Sequence, residues 1–450
     1  MFNKVLIANR GEIALRIIRA CKEMGINTVA VYSEVDRHSL HVKYADEAVC
    51  IGPAPPTESY LNYPRIISSA EITNSDAIHP GYGFLAEDPQ FAEICASCGI
   101  KFIGPKPDVI DKMGHKSLAK NIMEKVGVPI IPGSNGTLKN WKDAREIAED
   151  IGYPIILKAS GGGGGKGMRI INNNKELKNG FTMAKAEVEK IFTTSTIYLE
   201  KFFIRPRHIE VQIFGDDFGT VVSMGDRDCS IQRRHQKLIE EAPAPGLSYE
   251  LCEQMYAAAT KGAKEVGYTN AGTIEFLLDS NNNFYFMEMN TRIQVEHPVT
   301  EMVIGKDLVK EQIRVSAGEP LGYTQEDIKK SGHSLECRIN AEDSERGFIP
   351  CPGQVTAYNV PGGNGIRVDT HIYSQYEIPP YYDSLIAKVI SFGKDRDESI
   401  MRMKRALEEF IIEGIKTNIP FHKKVLNNKN FNEGILNTAF LEEEINNGNT

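Results

Sequence analysis

Glu288-Met289-Asn290-Thr291-Arg292-Ile293-Gln294-Val295-Glu296 places a polar residue at every second position, with Met289, Ile293 and Val295 between them. Side chains of a strand alternate faces, so an extended segment here is expected to align Glu288, Asn290, Arg292, Gln294 and Glu296 on one side. A carboxylate and an amide oxygen come first, the donors a hard cation such as Mg²⁺ takes. A guanidinium, an amide and a second carboxylate follow, a set suited to a small oxyanion and a proton acceptor. Alone, the pattern also describes a strand with one wet face, and the residues around it decide.

Just upstream, Thr273-Ile-Glu275-Phe-Leu-Leu-Asp279 and Phe284-Tyr-Phe-Met-Glu288 read as a hairpin turning at Ser280–Asn283. Pairing Asp279 with Phe284 puts Glu275 opposite Glu288 on the same face. Two facing carboxylates repel unless a cation lies between them. With Asn290 they form an expected magnesium seat.

Further back, Tyr153-Pro-Ile-Ile-Leu-Lys158-Ala-Ser-Gly161-Gly-Gly-Gly164-Gly165-Lys166-Gly167-Met168-Arg-Ile-Ile171 sets five glycines between two apolar, strand-like runs. Ser160 and Gly167 stand where a P-loop needs Gly and Ser or Thr. A strand–loop–strand flap remains, its bare amides able to cover phosphates, with Lys158 at its root. Pro206-Arg-His208-Ile-Glu210-Val-Gln212 is another strand with one polar face. Arg227, Arg233, Arg234, His235 and Lys237 then fall within eleven residues. Such a basic cluster in an acidic chain reads as an anion pocket or as a solvated basic loop.

The 450 residues are 41% hydrophobic and 25% charged, ordinary for a globular protein of two or three domains. A net charge of −8 gives no general field for nucleic acid. No apolar run approaches the roughly 18 residues of a membrane span. The chain enters a strand-like run at Lys4-Val5-Leu6-Ile7-Ala8 without a leader segment, and a cytoplasmic protein is expected. Eight scattered cysteines suit a reducing compartment. Cys95-Ala-Ser-Cys98, the one CxxC, has no second pair to complete a zinc site.

The first 110 or so residues alternate strands (Val5–Ala8, Thr28–Tyr32, Lys101–Ile103) with helices, a parallel α/β pattern. Helix Glu12–Met24 buries Ile13, Ala14, Ile17, Ile18 and Cys21. Its other face, Arg16, Arg19 and Glu23, is read as an exposed ion pair or a subunit interface. Asp76–Glu87 is a glycine-rich turn after a strand, of the kind that flanks ligand crevices. An α+β region follows from about Met113 to Gly318, then a block of short strands and a helix from His333 to about Glu444.

Five runs together resemble the biotin carboxylase family of the ATP-grasp superfamily. They are Ile7-Ala-Asn-Arg-Gly-Glu-Ile-Ala14, His79-Pro-Gly-Tyr-Gly-Phe-Leu85, Lys158-Ala-Ser-Gly-Gly-Gly-Gly-Gly, Glu288–Glu301 and Glu336-Cys-Arg-Ile-Asn-Ala-Glu-Asp343, in the family's order over nearly the whole chain. The resemblance is greatest to the free-standing members that serve bacterial acetyl-CoA carboxylase in fatty acid synthesis. It implies an α/β and α+β architecture: a Rossmann-like parallel-sheet domain over 1–113, an ATP-grasp domain over 114–318 with a mobile lid at about 131–203, and a C-terminal α+β domain over 333–444.

It also implies roles. Lys116, Lys158, Gly164, Gly165, His208, His235 and Lys237 would contact ATP phosphates, ribose or bicarbonate. Glu200, Lys201, Phe202 and Phe203 would hold the adenine, with Leu277 packed on it. Glu275, Glu288 and Asn290 would bind Mg²⁺ or Mn²⁺. Lys237, Arg292, Gln294 and Val295 would hold bicarbonate, and Glu296 would deprotonate it. Arg338 would stabilise the biotin enolate, with Tyr82 near the ureido ring. The catalytic set is thus Glu296, Arg292, Arg338 and Lys237. A homodimer is implied, and Asn364 stands where the family pattern has an aromatic at the interface. Thr438 replaces an aliphatic by the adenine.

Biotin is expected on a separate carrier protein, since the nearest thing here to a biotinylation turn is Met403-Lys404 in a charged helix. Carboxyltransferase subunits would take the carboxyl group onward. A subunit serving pyruvate or propionyl-CoA, another ATP-grasp ligase and a non-enzymatic nucleotide sensor are the competing readings. Intact Glu296 and Arg338 argue against the sensor.

Overall fold

Three of the sheets among the described residues have three or more strands, and each follows from a sequence run named above. The computed structural model describes residues 1–134, 136–159, 168–191 and 197–446. Lys4–Ile7 (β1), with Val5, Leu6 and Ile7 fully buried, is the middle strand of a five-stranded parallel sheet. The other strands are Asn27–Tyr32 (β2), Glu47–Cys50 (β3), Ala77–His79 (β4) and Lys101–Phe102 (β5), in the order β3-β2-β1-β4-β5. A parallel sheet needs crossovers that cover both faces. The first crossover is helix Gly11–Glu23 (α1), which buries the expected Ile13, Ala14, Ile17, Ile18 and Cys21.

The other face of α1 is not the surface predicted for it. Arg16 is buried, its Nη2 held by Glu301 Oε1 at 2.9 Å and Asp307 Oδ1 at 2.6 Å. An exposed ion pair is therefore ruled out for Arg16, which is buried against Glu301 and Asp307 of the same chain. Arg19 and Glu23 are exposed, and Glu23 pairs with Lys310 at 2.6 Å.

Ile155–Ala159 (β6), Met168–Ile171 (β7) and Ile197–Lys201 (β8) form a small antiparallel sheet in the order β7-β6-β8. Helices Trp141–Ile151 (α2) and Asn174–Ile191 (α3) cover it. Ile155, Leu157, Leu199, Phe181 and Ala144 make a core private to this unit. The two strands expected beside the glycine run are both present, with Lys158 opposite Met168. Gly164 and Gly165 lie outside the described residues.

The third sheet has eight strands: Arg207–Gly215 (β9), Val221–Arg233 (β10), Gln236–Ala242 (β11), Asn270–Leu278 (β12), Phe284–Asn290 (β13), His333–Asn340 (β14), Ile366–Thr370 (β15) and Leu385–Gly393 (β16). Their order is β13-β12-β9-β10-β11-β14-β16-β15, antiparallel throughout. The region after His333 thus continues the sheet begun at Arg207, because β14 pairs with β11. Helix Arg396–Glu409 buries Ile400, Met403, Ala406 and Leu407, so Met403-Lys404 belongs to a packed helix and not to a hairpin turn. No helix among the described residues is long and apolar enough to cross a membrane.

The hairpin β12–β13 has Glu275 opposite Glu288, reached by a different register from the one expected. Phe284 pairs with Leu278 rather than Asp279, and a shift between Glu275 and Phe276 leaves Met287 as an extra residue that restores the pairing. A bulge of this kind re-aims side chains beside functional sites. The opening stretch also departs from expectation. The strand ends at Asn290, residues 291–296 are irregular, and helix His297–Ile304 (α4) begins with Pro298 in its first turn. Pro fixes φ and favours a helix start, so it caps the extended segment early.

Candidate active site

Glu288, Glu275, Glu210 and Arg227 stand side by side across four strands, since Glu275 pairs with Glu288 on one side and Glu210 on the other, and Glu210 with Arg227. Three carboxylates in a row are destabilising unless cations meet them. Here each is met. Lys116 Nζ lies 2.9 Å from Glu288 Oε2. His208 Nε2 lies 3.0 Å from Glu275 Oε2. Arg227 donates to Glu210, Gln212, Thr300 and Thr273. Arg227 is fully buried, so the five basic groups read together in the sequence are two sets: Arg227 is interior, while Arg233, Arg234, His235 and Lys237 lie at the β10–β11 turn. Arg234 and His235 both take positive φ, 48° and 65°, a conformation usually left to Asn and Gly, and such strain collects at functional sites.

Lys237 is the hub. Its Nζ donates to Glu210 Oε2 at 2.6 Å, Glu275 Oε1 at 2.9 Å and Glu296 Oε1 at 2.7 Å. Burial opposes its charge, but the three carboxylates raise its pKa well above the ordinary lysine value. Glu296 has no exposed surface and accepts from Lys237 and from Arg338 Nη2 at 2.8 Å. Burial alone raises its carboxyl; Lys237, Arg338 and Arg227 hold it well below the usual carboxylate range. The irregular segment 291–296 brings Glu296 here even though it is not a strand. Arg292 Nε binds Glu87 at 2.8 Å, Nη1 binds Gln294 Oε1 at 3.0 Å and Nη2 binds Asn290 Oδ1 at 3.1 Å. Gln294 Nε2 and Asn290 Nδ2 both donate to Glu275 Oε1, at 3.3 and 2.9 Å.

Lys237, Glu275, Asn290, Arg292 and Gln294 face a cavity of about 1500 Å³ between the sheets, and Glu296 lies behind Lys237 and Arg338. Its lining includes Lys116, Lys158, Glu200, Lys201, Phe202, Phe203, His208, His235, Lys237, Leu277, Glu288, Arg292, Val295, Arg338 and Tyr82. Glu200 is buried and paired with both Lys158 and Lys120. Lys201 instead donates to the carbonyls of Gly152 and Tyr153 at 3.0 Å each. Burial and the mutual repulsion of Lys116, Lys120 and Lys158 lower the Lys120 and Lys158 pKa values to about 8. Lysines so crowded favour a polyanion, as a phosphate chain is. Tyr82 donates to Glu12, and Lys388 Nζ binds both Glu12 at 3.1 Å and the Val295 carbonyl at 2.8 Å.

Glu275, Glu288 and Asn290 offer two carboxylates and an amide oxygen, the hard oxygen donors that fit magnesium. His208, Glu210 and Glu275 bring ligand atoms within 4.8 Å of one another, and Lys237 lies against both carboxylates. Sequence reading passed over Lys120, Glu87, Glu240 and Lys388. Lys120 was within reach, being four residues after Lys116 on one helix face. The other three come from distant segments and left no local signal.

Glu336 gives a pH test of this geometry. Burial, with the facing Glu240 adding to it against the pull of Lys388, puts its carboxyl well above the usual range. A carboxyl with a raised folded-state pKa stabilises the fold at acid pH, and that stability is lost as pH rises through the folded value. Glu336→Gln cannot titrate. Its Tm should therefore gain on wild type as pH rises above about 5, the ordinary carboxyl range; a constant difference would remove Glu336 as the titrating group.

A nucleotide-sized cavity walled by a lysine cluster, a carboxylate pair and a small flap-like sheet defines an ATP-grasp ligase. Family models agree: "Biotin carboxylase, N-terminal domain" matches residues 1–110, "Carbamoyl-phosphate synthase L chain, ATP binding domain" 115–324 and "Biotin carboxylase C-terminal domain" 336–443. Biotin carboxylase 1 of Bacillus subtilis is 56% identical over 98% of both chains. A pyruvate carboxylase subunit from Methanothermobacter thermautotrophicus is 55% identical over 98% of this chain and 90% of its own. The biotin carboxylase domain dimer of 2-oxoglutarate carboxylase from Hydrogenobacter thermophilus, solved with MgADP, ADP and bicarbonate, superposes with a TM-score of 0.92 at 52% identity over 98% of each chain. The chain belongs to the biotin carboxylase family.

Proposed function

We infer that the chain carboxylates biotin with bicarbonate at the expense of ATP, the biotin being carried on a separate carrier protein. The observation that carries this reading is Glu296 held between Lys237 and Arg338 beside the lysine-lined cavity. Bicarbonate is a poor electrophile, and transfer of the γ-phosphoryl group turns it into carboxyphosphate. Lys116, Lys120 and Lys158 offset the charge of the phosphates. Glu200, Lys201, Phe202, Phe203 and Leu277 hold the adenine, and His208 and His235 contact the phosphates or ribose. Glu275, Glu288 and Asn290 would hold magnesium, whose charge would steady the transferring group.

Arg292, Gln294, Val295 and Lys237 hold bicarbonate against Glu296. In the resting site Glu296 is a weak base, because two cations share its charge. Bicarbonate and phosphate draw Lys237 toward themselves, which frees Glu296 to take the bicarbonate proton. Carboxyphosphate then releases CO₂ and phosphate, phosphate removes the proton on biotin N1′, and Arg338 steadies the enolate that captures CO₂. Tyr82 borders that end of the cavity. The unit built on β6–β8, within about 131–203, is the lid that excludes water from carboxyphosphate. The domains divide at about 113 and between 318 and 333.

We assign the enzyme to the first half-reaction of acetyl-CoA carboxylase in the cytoplasm, with carboxyltransferase subunits as partners. The free-standing Bacillus subtilis relative of matching length supports this. The similarity to a pyruvate carboxylase subunit favours pyruvate as the second reading. A homodimer is proposed from the dimeric 2-oxoglutarate carboxylase domain, with Arg19 and Glu23 exposed on α1 and Arg16 bracing that helix from inside. ADP release should require free biotin and bicarbonate together. Turnover that ignores biotin would point to a different ATP-grasp ligase.

A further inference from the structure

Behind Arg338 two carboxylates face each other. Glu240 on β11 and Glu336 on β14 are register partners, and neither has any exposed surface. Glu240 Oε1 accepts from Arg338 Nε at 2.5 Å. Glu240 Oε2 and both oxygens of Glu336 have no hydrogen-bond partner among the described residues. Arg338 Nη2 reaches Glu296, and the side chain borders the cavity.

The charges around the pair do not balance two anions. Glu240 meets Arg338 and Lys237, but Glu296 repels it. Glu336 meets Lys388 and Arg338, and is opposed by Glu240 and Glu296. Lys388 is already shared with Glu12, Lys237 with three other carboxylates, and the neighbouring Tyr82, Cys229 and Cys337 bring no cation. His422, on the far side of β14, is spent on the Arg338 carbonyl. Two buried carboxyls at this spacing keep one proton rather than ionise together.

We propose that Glu240 and Glu336 hold one proton between them, and that Glu240, the charged member, is the positioning residue that aims Arg338 at biotin. When the enolate charge develops, Arg338 exchanges Glu296 for the substrate while Glu240 keeps its grip on Nε. Acid then has a defined effect. Burial pushes the Glu240 carboxyl up to about 7, so below that pH the pair takes its second proton, on Glu240, and Arg338 is released.

The inference rests on the reading of Arg338 as a biotin contact, and the test separates the two. Steady-state kinetics with free biotin, ATP and bicarbonate are run on wild type, Glu240→Gln, Glu240→Asp and Arg338→Gln. Glu240→Gln is expected to raise the KM for biotin by roughly 10- to 100-fold, the cost of a lost hydrogen bond to a charged group, with little change in the KM for ATP. The acid limb of kcat/KM for biotin, present in wild type, should be missing from Glu240→Gln. Glu240→Asp keeps the charge on a shorter arm and carries the test if the amide variant fails to fold: a raised KM with the limb retained is expected. An unchanged biotin KM in both Glu240 variants alongside a raised one in Arg338→Gln overturns this inference alone, as does a full acid limb in Glu240→Gln. Unchanged values in all three overturn the Arg338 reading and this inference with it.

Discussion

Glu296→Gln should lose biotin carboxylation and bicarbonate-dependent ATP cleavage together, while Arg338→Gln should lose the first far more than the second. The two residues touch, at 2.8 Å, yet the proposed mechanism gives them different events. Without the Glu296 carboxylate, bicarbonate keeps its proton and carboxyphosphate does not form. The amide also leaves Lys237 with two carboxylates instead of three. In the proposed mechanism Arg338 is needed only when charge appears on the enolate, after carboxyphosphate exists. A lost oxyanion contact costs roughly 10²–10³-fold in rate, so ADP release and carboxybiotin formation should separate clearly in Arg338→Gln. Equal loss of both activities in both variants would refute this division of labour.

The second large effect is expected at Glu288→Gln. The amide keeps the shape of the side chain and removes a charge from the proposed magnesium seat. Glu288 is about one-third exposed and its ion pair with Lys116 is solvent-accessible, so folding should be little affected. ATP turnover should fall by roughly the 10²-fold or more typical of a lost electrostatic group, with partial recovery at raised Mg²⁺ or with Mn²⁺. Normal turnover at ordinary Mg²⁺ would remove Glu288 from the site.

The sequence was most informative where chemistry and strand period coincide. Glu275 and Glu288 do face each other, although the expected pairing of Asp279 with Phe284 is one residue off and a bulge at Met287 restores the match. Bulges leave almost no trace in a single sequence. The strand expected through Glu296 stops at Asn290, because the helix start at His297-Pro298 outweighs the alternation before it. Arg16 shows the limit of amphipathic reading: a charged side chain on the polar side of a helix is buried when Glu301 and Asp307, nearly 300 residues away, close over it. Glu87 and Glu240 were invisible for the same reason. Each acts through an arginine that only the fold brings near.

Bicarbonate labelled with ¹⁸O in all its oxygens tests the central claim most directly. If ATP activates bicarbonate as carboxyphosphate in this site, each phosphate released during biotin carboxylation carries one labelled oxygen and the carboxyl group on biotin carries the other two. Unlabelled phosphate, released at the same rate as ADP, would mean that water and not bicarbonate receives the phosphoryl group, and would contradict the account.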